Sequence, residues 1–303
     1  MVIINYTIMC MIFGTTFLAI KIGVDSGAPP FFSAGVRFFV AGFMILLWMK
    51  SKKQVSFSLL LKKEMFLTGM GLTFSVFAAS YWAEQYVASG IVAVLSAMAP
   101  ILIILVQTMI LKETVSVLSK IGCGTAFVGV LVLLWPNISS NASVYWFMGC
   151  IAVLISQIFF ASATLYSKKV MKVLEGTSSV AMNGAQMMHG SFMLLILSFL
   201  TEDHQFLLFQ HSHAVMALLY LIILGSMIAH SLYYWLVMNT NPLFPSTWLY
   251  ISPFLALFVG AMIYREQVSW ISIVGGGIII CGVALANFKI IKQLIMKPKL
   301  ERA

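Results

Sequence analysis

The chain has 303 residues, 61% of them hydrophobic and 9% charged, with a net charge of +9 and a mean hydropathy of +1.01. Soluble domains carry about 25% charged residues, so this composition excludes a soluble globular protein, and the strict apolar/polar alternation of a membrane barrel is not seen. No G-x4-G-K-[ST] phosphate loop is present, and the positive balance needs no nucleic acid, because anionic lipid at a membrane surface is partner enough.

A hydrocarbon core of about 30 Å is crossed by roughly twenty helical residues, and apolar stretches of that length recur along the chain. Helix 1 is predicted over 4–23; Lys21 and the spans behind it make it a retained helix rather than a cleaved signal. After DSGAPP (25–30), helix 2 covers 31–49 and holds Arg37. Helix 3 covers 65–84, with Tyr81 and Glu84 at its end. Helix 4, over 90–110, contains Pro100 and runs out at Glu113. Helix 5 covers 116–134 and helix 6 covers 145–166, separated by PNISSN (136–141). Helix 7 follows EGTSS over 178–200, helix 8 covers 214–238, and NTNP (239–242) leads to helix 9 over 244–263, with Pro253 inside and Glu266 beyond its end. Helix 10 covers 269–288, and a basic tail occupies 289–303. The four cysteines lie inside apolar stretches without metal-type spacing and read as small hydrophobes. No metal or cofactor is expected.

Basic residues favour cytoplasmic loops. With the N-terminus inside, fifteen of the eighteen lysines and arginines fall in inner segments, and the rest (Lys21, Arg37 and Arg265) sit near outer helix ends. Both termini are therefore predicted to be cytoplasmic.

The two halves repeat. PILIILVQTMILKE (100–113) returns as PFLALFVGAMIYRE (253–266), with 253 − 100 = 153 and 266 − 113 = 153. The same offset takes Tyr81 to Tyr234, Trp82 to Trp235, Gly122 to Gly275 and Gly129 to Gly282, while an offset of 147 takes FGTTFLAIK (13–21) to FASATLYSK (160–168). The predicted units are 1–141 (helices 1–5) and 142–288 (helices 6–10). Five crossings per unit invert the second unit against the first, a construction used by secondary transporters to expose a midplane site to either side in turn. The predicted fold is thus an all-α integral membrane protein with ten transmembrane helices in two inverted five-helix repeats.

GTTFLAIK, the Pro30-to-Arg37 spacing and the paired Pro-to-Glu helices followed by glycine-bearing helices resemble the drug/metabolite transporter superfamily, in particular its ten-helix members with two EamA repeats. The resemblance covers nearly the whole chain. It implies a bacterial inner-membrane carrier, commonly an exporter of amino acids or other small metabolites, with a central cavity lined by helices 1, 3, 4, 6, 8 and 9. Candidate cavity residues on those helices are Thr15, Tyr81, Glu84, Ser96, Pro100, Gln157, His230, Tyr233, Tyr234, Trp248, Tyr250 and Pro253. Lys21, Arg37, Glu113 and Glu266 are candidates for charge pairing or gating.

Each candidate carries a plainer alternative. A charge at the bilayer centre costs about 2.5–3.5 kcal/mol on insertion scales; Arg37 either snorkels or pairs with Asp25 or Glu84, or else meets substrate. Glu84 is a helix-end charge or a group that attracts cations or carries a proton. His230, Tyr233 and Tyr234 form either a helix contact or a face that stacks on an organic solute. His189 is most simply a satisfied helix residue, and the repeat of Glu113 in Glu266 suits a shared structural role. The glycine rows let helices approach closely. The second half has AMNGAQMMHG where the first has Arg37, so any role of that arginine is asymmetric. The expected partners are a small-molecule substrate, the lipid bilayer and protons as a coupling ion, with the chain a monomer or weak homodimer. A membrane-embedded lipid-modifying enzyme and a non-transporting scaffold are the competing readings; the first needs a clustered acid, base or metal, and the second leaves the inverted proline helices unexplained.

Overall fold

A computed structural model of the chain describes residues 1–134, 143–203, 211–253, 255 and 270–296, and every regular element among them is helical. In chain order these are α1 (Val2–Asp25), α2 (Pro30–Ser51), α3 (Lys63–Ala83), α4 (Ile91–Ile110), α5 (Val117–Leu134), α6 (Val144–Val173), α7 (Ser179–Thr201) and α8 (Ser212–Asn239). The described part of α9 is Leu243–Ser246 followed by residues 248–253. It is followed by α10 (Trp270–Ala286) and the short helix α11 (Phe288–Met296). Seven of them, α1 to α8 without α5, are long and apolar enough to cross a membrane. The predicted end of helix 9, the boundary at 141 and Glu266 lie outside the described residues.

Hydrophobic length places the spans closely, but their interiors are less regular than an apolar pattern suggests. At Thr15 α1 is interrupted: Thr15 and Thr16 turn their hydroxyls back onto Ile12 O and Phe13 O, at 2.8 and 2.7 Å. Such back-bonding bends a helix by competing with its own ladder. Helix α4 breaks at Ala97 and Met98, and Pro100 sits in the first turn of its second part, where a missing N–H costs nothing. Three spans contain π-helical turns, at Met70–Phe74 in α3, Val106–Ile110 in α4 and Leu221–Ala229 in α8. Those of α3 and α8 coincide at the repeat offset, since 70 + 153 = 223 falls within the second. Wide turns of this kind are frequent at functional sites.

Helices in lipid gain nothing by hiding apolar surface from other apolar surface, so their contacts depend on close approach at small residues. The closest is between α5 and α10. A Cβ on Gly122 would lie 2.2 Å from Ala286 N, one on Gly129 2.7 Å from Ile279 N, and one on Gly282 2.3 Å from Ala126 N. Low numbers on one helix meet high numbers on the other, so the two run antiparallel. The same holds for α2 and α7, where Gly35 meets Leu195 and Gly42 meets Gly184 and Met187. Equivalent helices of the two halves therefore cross in opposite directions, which is the inversion stated geometrically.

Two lysines fasten opposite ends of the bundle. Lys21, near the end of α1, donates to Glu84 O at the end of α3 (2.8 Å) and pairs with Asp25 at 2.8 Å. Lys168, its counterpart at the offset of 147, donates to Val237 O, Met238 O and Thr240 O at the end of α8, at 2.7, 2.6 and 3.2 Å. Each meets the carbonyls that a helix C-terminus leaves without partners. The second contact also accounts for α6 continuing to Val173, beyond the predicted end at 166.

Candidate substrate cavity

Between the two fastened ends lies a cavity walled by Phe13, Thr16 and Phe17 of α1, Leu72, Phe77 and Ser80 of α3, Ser96 of α4, Gln157 and Phe160 of α6, His230, Tyr233 and Tyr234 of α8, and Trp248 of α9. Arg37 adds α2 to the wall. About 680 Å³ of space lies among these side chains.

The wall is mostly aromatic. Trp248 lies against Phe13 at 4.4 Å and Phe17 at 6.2 Å between ring centroids. The His230 ring stands edge-on to Phe13 and Phe38, at 4.9 and 5.6 Å, and 5.6 Å from Phe77. Its Nδ1 donates to Gly225 O at 2.8 Å, an acceptor shared with the His230 backbone N–H. Tyr233 shares hydrogen bonds with Thr164 (3.0 Å) and Ser246 (3.4 Å), tying α6, α8 and α9 together.

Arg37 is fully buried, with 0% exposure. Its Nε donates to Ser226 Oγ at 2.8 Å and its Nη1 to Tyr81 OH at 3.3 Å, while Nη2 has no partner. The guanidinium carbon lies 4.6 and 4.9 Å from the Phe38 and Phe77 centroids. It reaches α8 because residue 225 is glycine: a Cβ there would stand 3.0 Å from Nη2. Among the described residues the ion pair within 4 Å is Lys21–Asp25, not one made by Arg37.

The sequence candidates divide clearly by place. Ser96, Gln157, His230, Tyr233, Tyr234, Trp248 and Arg37 meet at the cavity. Thr15 instead bonds the Tyr220 hydroxyl, and its neighbour Thr16 takes the position on the wall. Tyr81 stands behind Arg37 and borders a smaller space on the other side. Glu84 is fully buried, both of its carboxylate oxygens lack partners, and it does not line the cavity. Pro100, Tyr250 and Pro253 are buried off the wall, Tyr250 against Cys123 of α5. Glu113 is exposed and accepts from Gln107 Nε2 at 3.2 Å. The phenylalanines were missed because apolar residues carry no chemical signal; their spacing with Thr16 along α1 was the available sign.

His189 lies away from the cavity, its Nε2 2.9 Å from Leu60 O and its ring edge-on to Phe66 at 5.9 Å. His189→Ala is expected to lower the melting temperature of the purified protein by several degrees, about 1 kcal/mol for a lost hydrogen bond, without altering solute binding. A binding defect at unchanged stability would contradict this.

A central cavity between the helices of two inverted halves is the arrangement of a membrane transporter. The EamA-like transporter family matches residues 1–135 and 147–288, and the chain belongs to that family. The uncharacterized inner membrane transporter YedA of Escherichia coli K12 is 28% identical over 284 residues, covering 91% of this chain and 87% of YedA. The uncharacterized transporter YoaV of Bacillus subtilis is 26% identical, covering 92% and 94%. Protein PagO of Salmonella typhimurium is 24% identical, covering 88% and 86%. A solved crystal structure superposes with a TM-score of 0.76 at 15% identity, over 94% of this chain and 97% of that one, and so shares the fold.

Proposed function

We propose that the chain is a secondary transporter that moves a small organic metabolite, an amino acid or related compound, across a bacterial inner membrane by alternating access, in the direction of export. The observation that supports this most is the paired construction of the ends. Lys21 and Lys168 bond the ends of α3 and α8 through equivalent contacts at opposite ends of the bundle, with the cavity between them. Two halves of opposite orientation can exchange conformations, so that opening one end accompanies closing the other. Both termini lie in the cytoplasm on the distribution of lysines and arginines. Glu84, buried without a hydrogen-bond partner for its carboxylate, is the candidate for carrying a coupling proton.

The purified protein in proteoliposomes is expected to move an organic solute with no nucleotide present, driven by the solute gradient or a pH gradient. Flux that appears only with an added nucleotide-hydrolysing partner would sink this reading. A tolerance screen in cells overproducing the chain, across toxic amino acids, their analogues and organic acids, selects the solutes to load.

A further inference from the structure

The repeat supplies an internal comparison for Arg37. Aligning AGVRFF (34–39) with NGAQMM (183–188) places Gln186 opposite Arg37, an offset of 149. Gln186 is fully buried and accepts from Thr73 Oγ1 at 2.7 Å, just as Arg37 bonds Ser226 Oγ at 2.8 Å. Thr73 and Ser226 are themselves equivalent, since 226 − 73 = 153. Each half thus ties its second helix to the third helix of the other half by one buried polar contact. The second half makes that tie with a neutral amide.

The tie does not require a charge, yet the first half has one, and the two positions differ in where they sit. Arg37 lines the cavity; Gln186 does not. The guanidinium spends Nε on the tie and Nη1 on Tyr81, which leaves Nη2 without a partner. A buried cation without a counter-ion is costly, and among the described residues no carboxylate lines the cavity to supply one. Glu84 makes no ion pair with it within 4 Å and acts on it only at longer range.

We propose that the cavity takes an organic monocarboxylate with an aromatic or apolar body, its carboxylate on Arg37 and its body against Phe13, Phe77, Tyr234 and Trp248. This rests on the transporter reading and, of the solutes named there, sets aside amino acids in favour of related acids without an ammonium group. Aromatic faces attract cations as well as apolar groups, but the fixed guanidinium already lies over Phe77. An ammonium entering the cavity would meet that like charge and no acid. A carboxylate gains a charge-assisted hydrogen bond and relieves the buried cation at once.

Four probes of one shape separate the charges: 3-phenylpropionate (anion), phenylalanine (zwitterion), phenethylamine (cation) and 3-phenylpropanol (neutral). Binding is read by calorimetry and by thermal stabilisation of the purified full-length protein. The anion is expected to bind at least ten times more tightly than the other three. Arg37→Gln, which reproduces the tie of the second half, is expected to stay folded and lose that preference. Arg37→Lys, which keeps the charge, retains part of it and serves as the second variant should Arg37→Gln fail to fold. Equal binding of the zwitterion or cation, no binding by any probe at millimolar concentration, or unchanged anion binding in Arg37→Gln overturns the proposal. Flux in proteoliposomes is measured separately. Selective binding without flux sinks the transporter reading and leaves the site standing, whereas flux without anion preference does the reverse.

Discussion

Gly282→Val is expected to deprive the chain of a stable fold in detergent, while Gly277→Val, five residues earlier on the same helix, leaves it intact. At Gly282 a Cβ would approach Ala126 N at 2.3 Å and Ala126 Cα at 2.7 Å. The obstacle is backbone, so a change of rotamer cannot relieve it, and α5 and α10 must separate along their whole contact. Overpacking costs about 1–3 kcal/mol where side chains can shift, and this substitution falls at or above the top of that range. Against a total stability of about 5–15 kcal/mol, the loss appears as aggregation or a melting temperature lower by ten degrees or more. A Cβ on Gly277 meets nothing within 4 Å. Equal melting temperatures for the two variants would refute the close crossing of α5 and α10.

Trp248→Ala is expected to reduce transport at least tenfold at equal amounts of folded protein, with Trp248→Phe retaining most of it. Trp248 forms the α9 wall of the cavity and packs on Phe13 and Phe17. Truncating a large aromatic costs about 3–5 kcal/mol in a rigid core, so comparison at matched folded amounts is essential. What remains after that correction is the loss of an aromatic face positioned against the solute. The conservative replacement preserves a ring and much of the area, which separates a role in solute contact from a role in holding α1. If Trp248→Phe were as impaired as Trp248→Ala, the indole N–H rather than the aromatic face would carry the effect.

Much of this architecture is legible in the residues, for a physical reason. The bilayer fixes the length of each span, so apolar runs near twenty residues give α1 to α8 within a few positions, with the lysine-bearing end of α6 as the exception. The duplication shows through because close backbone contacts fix glycines in register, as at Gly122, Gly129 and Gly282. The π-helical turns are another matter: LIILGSMIA has the composition of any buried helix, and nothing in it marks the widened turn. Gln186 was hidden as the counterpart of Arg37 because a charge and an amide look unalike until both are seen bonding equivalent hydroxyls. For the same reason the sequence did not separate Thr15, which bonds Tyr220, from Thr16, which lines the cavity. Adjacent threonines on a bent helix point to different neighbours, and the bend comes from the threonines themselves. Lys168, counted in the sequence among the inner basic residues, and Lys21, a candidate for charge pairing or gating, are both bonded to the main chain.

Those two lysines also say how the barrier can fail. Lys21 belongs to the first half and fastens a helix of the first half; Lys168 and α8 belong to the second. Neither fastening borrows a residue from the other, and they lie at opposite ends of the bundle. Under the alternating-access mechanism proposed above, damage to one leaves the contact at the far end untouched, and a single lesion is expected to bias which way the protein faces without making it porous. Under the same mechanism an uncontrolled leak is expected only when both are lost, so the barrier would be redundant by construction.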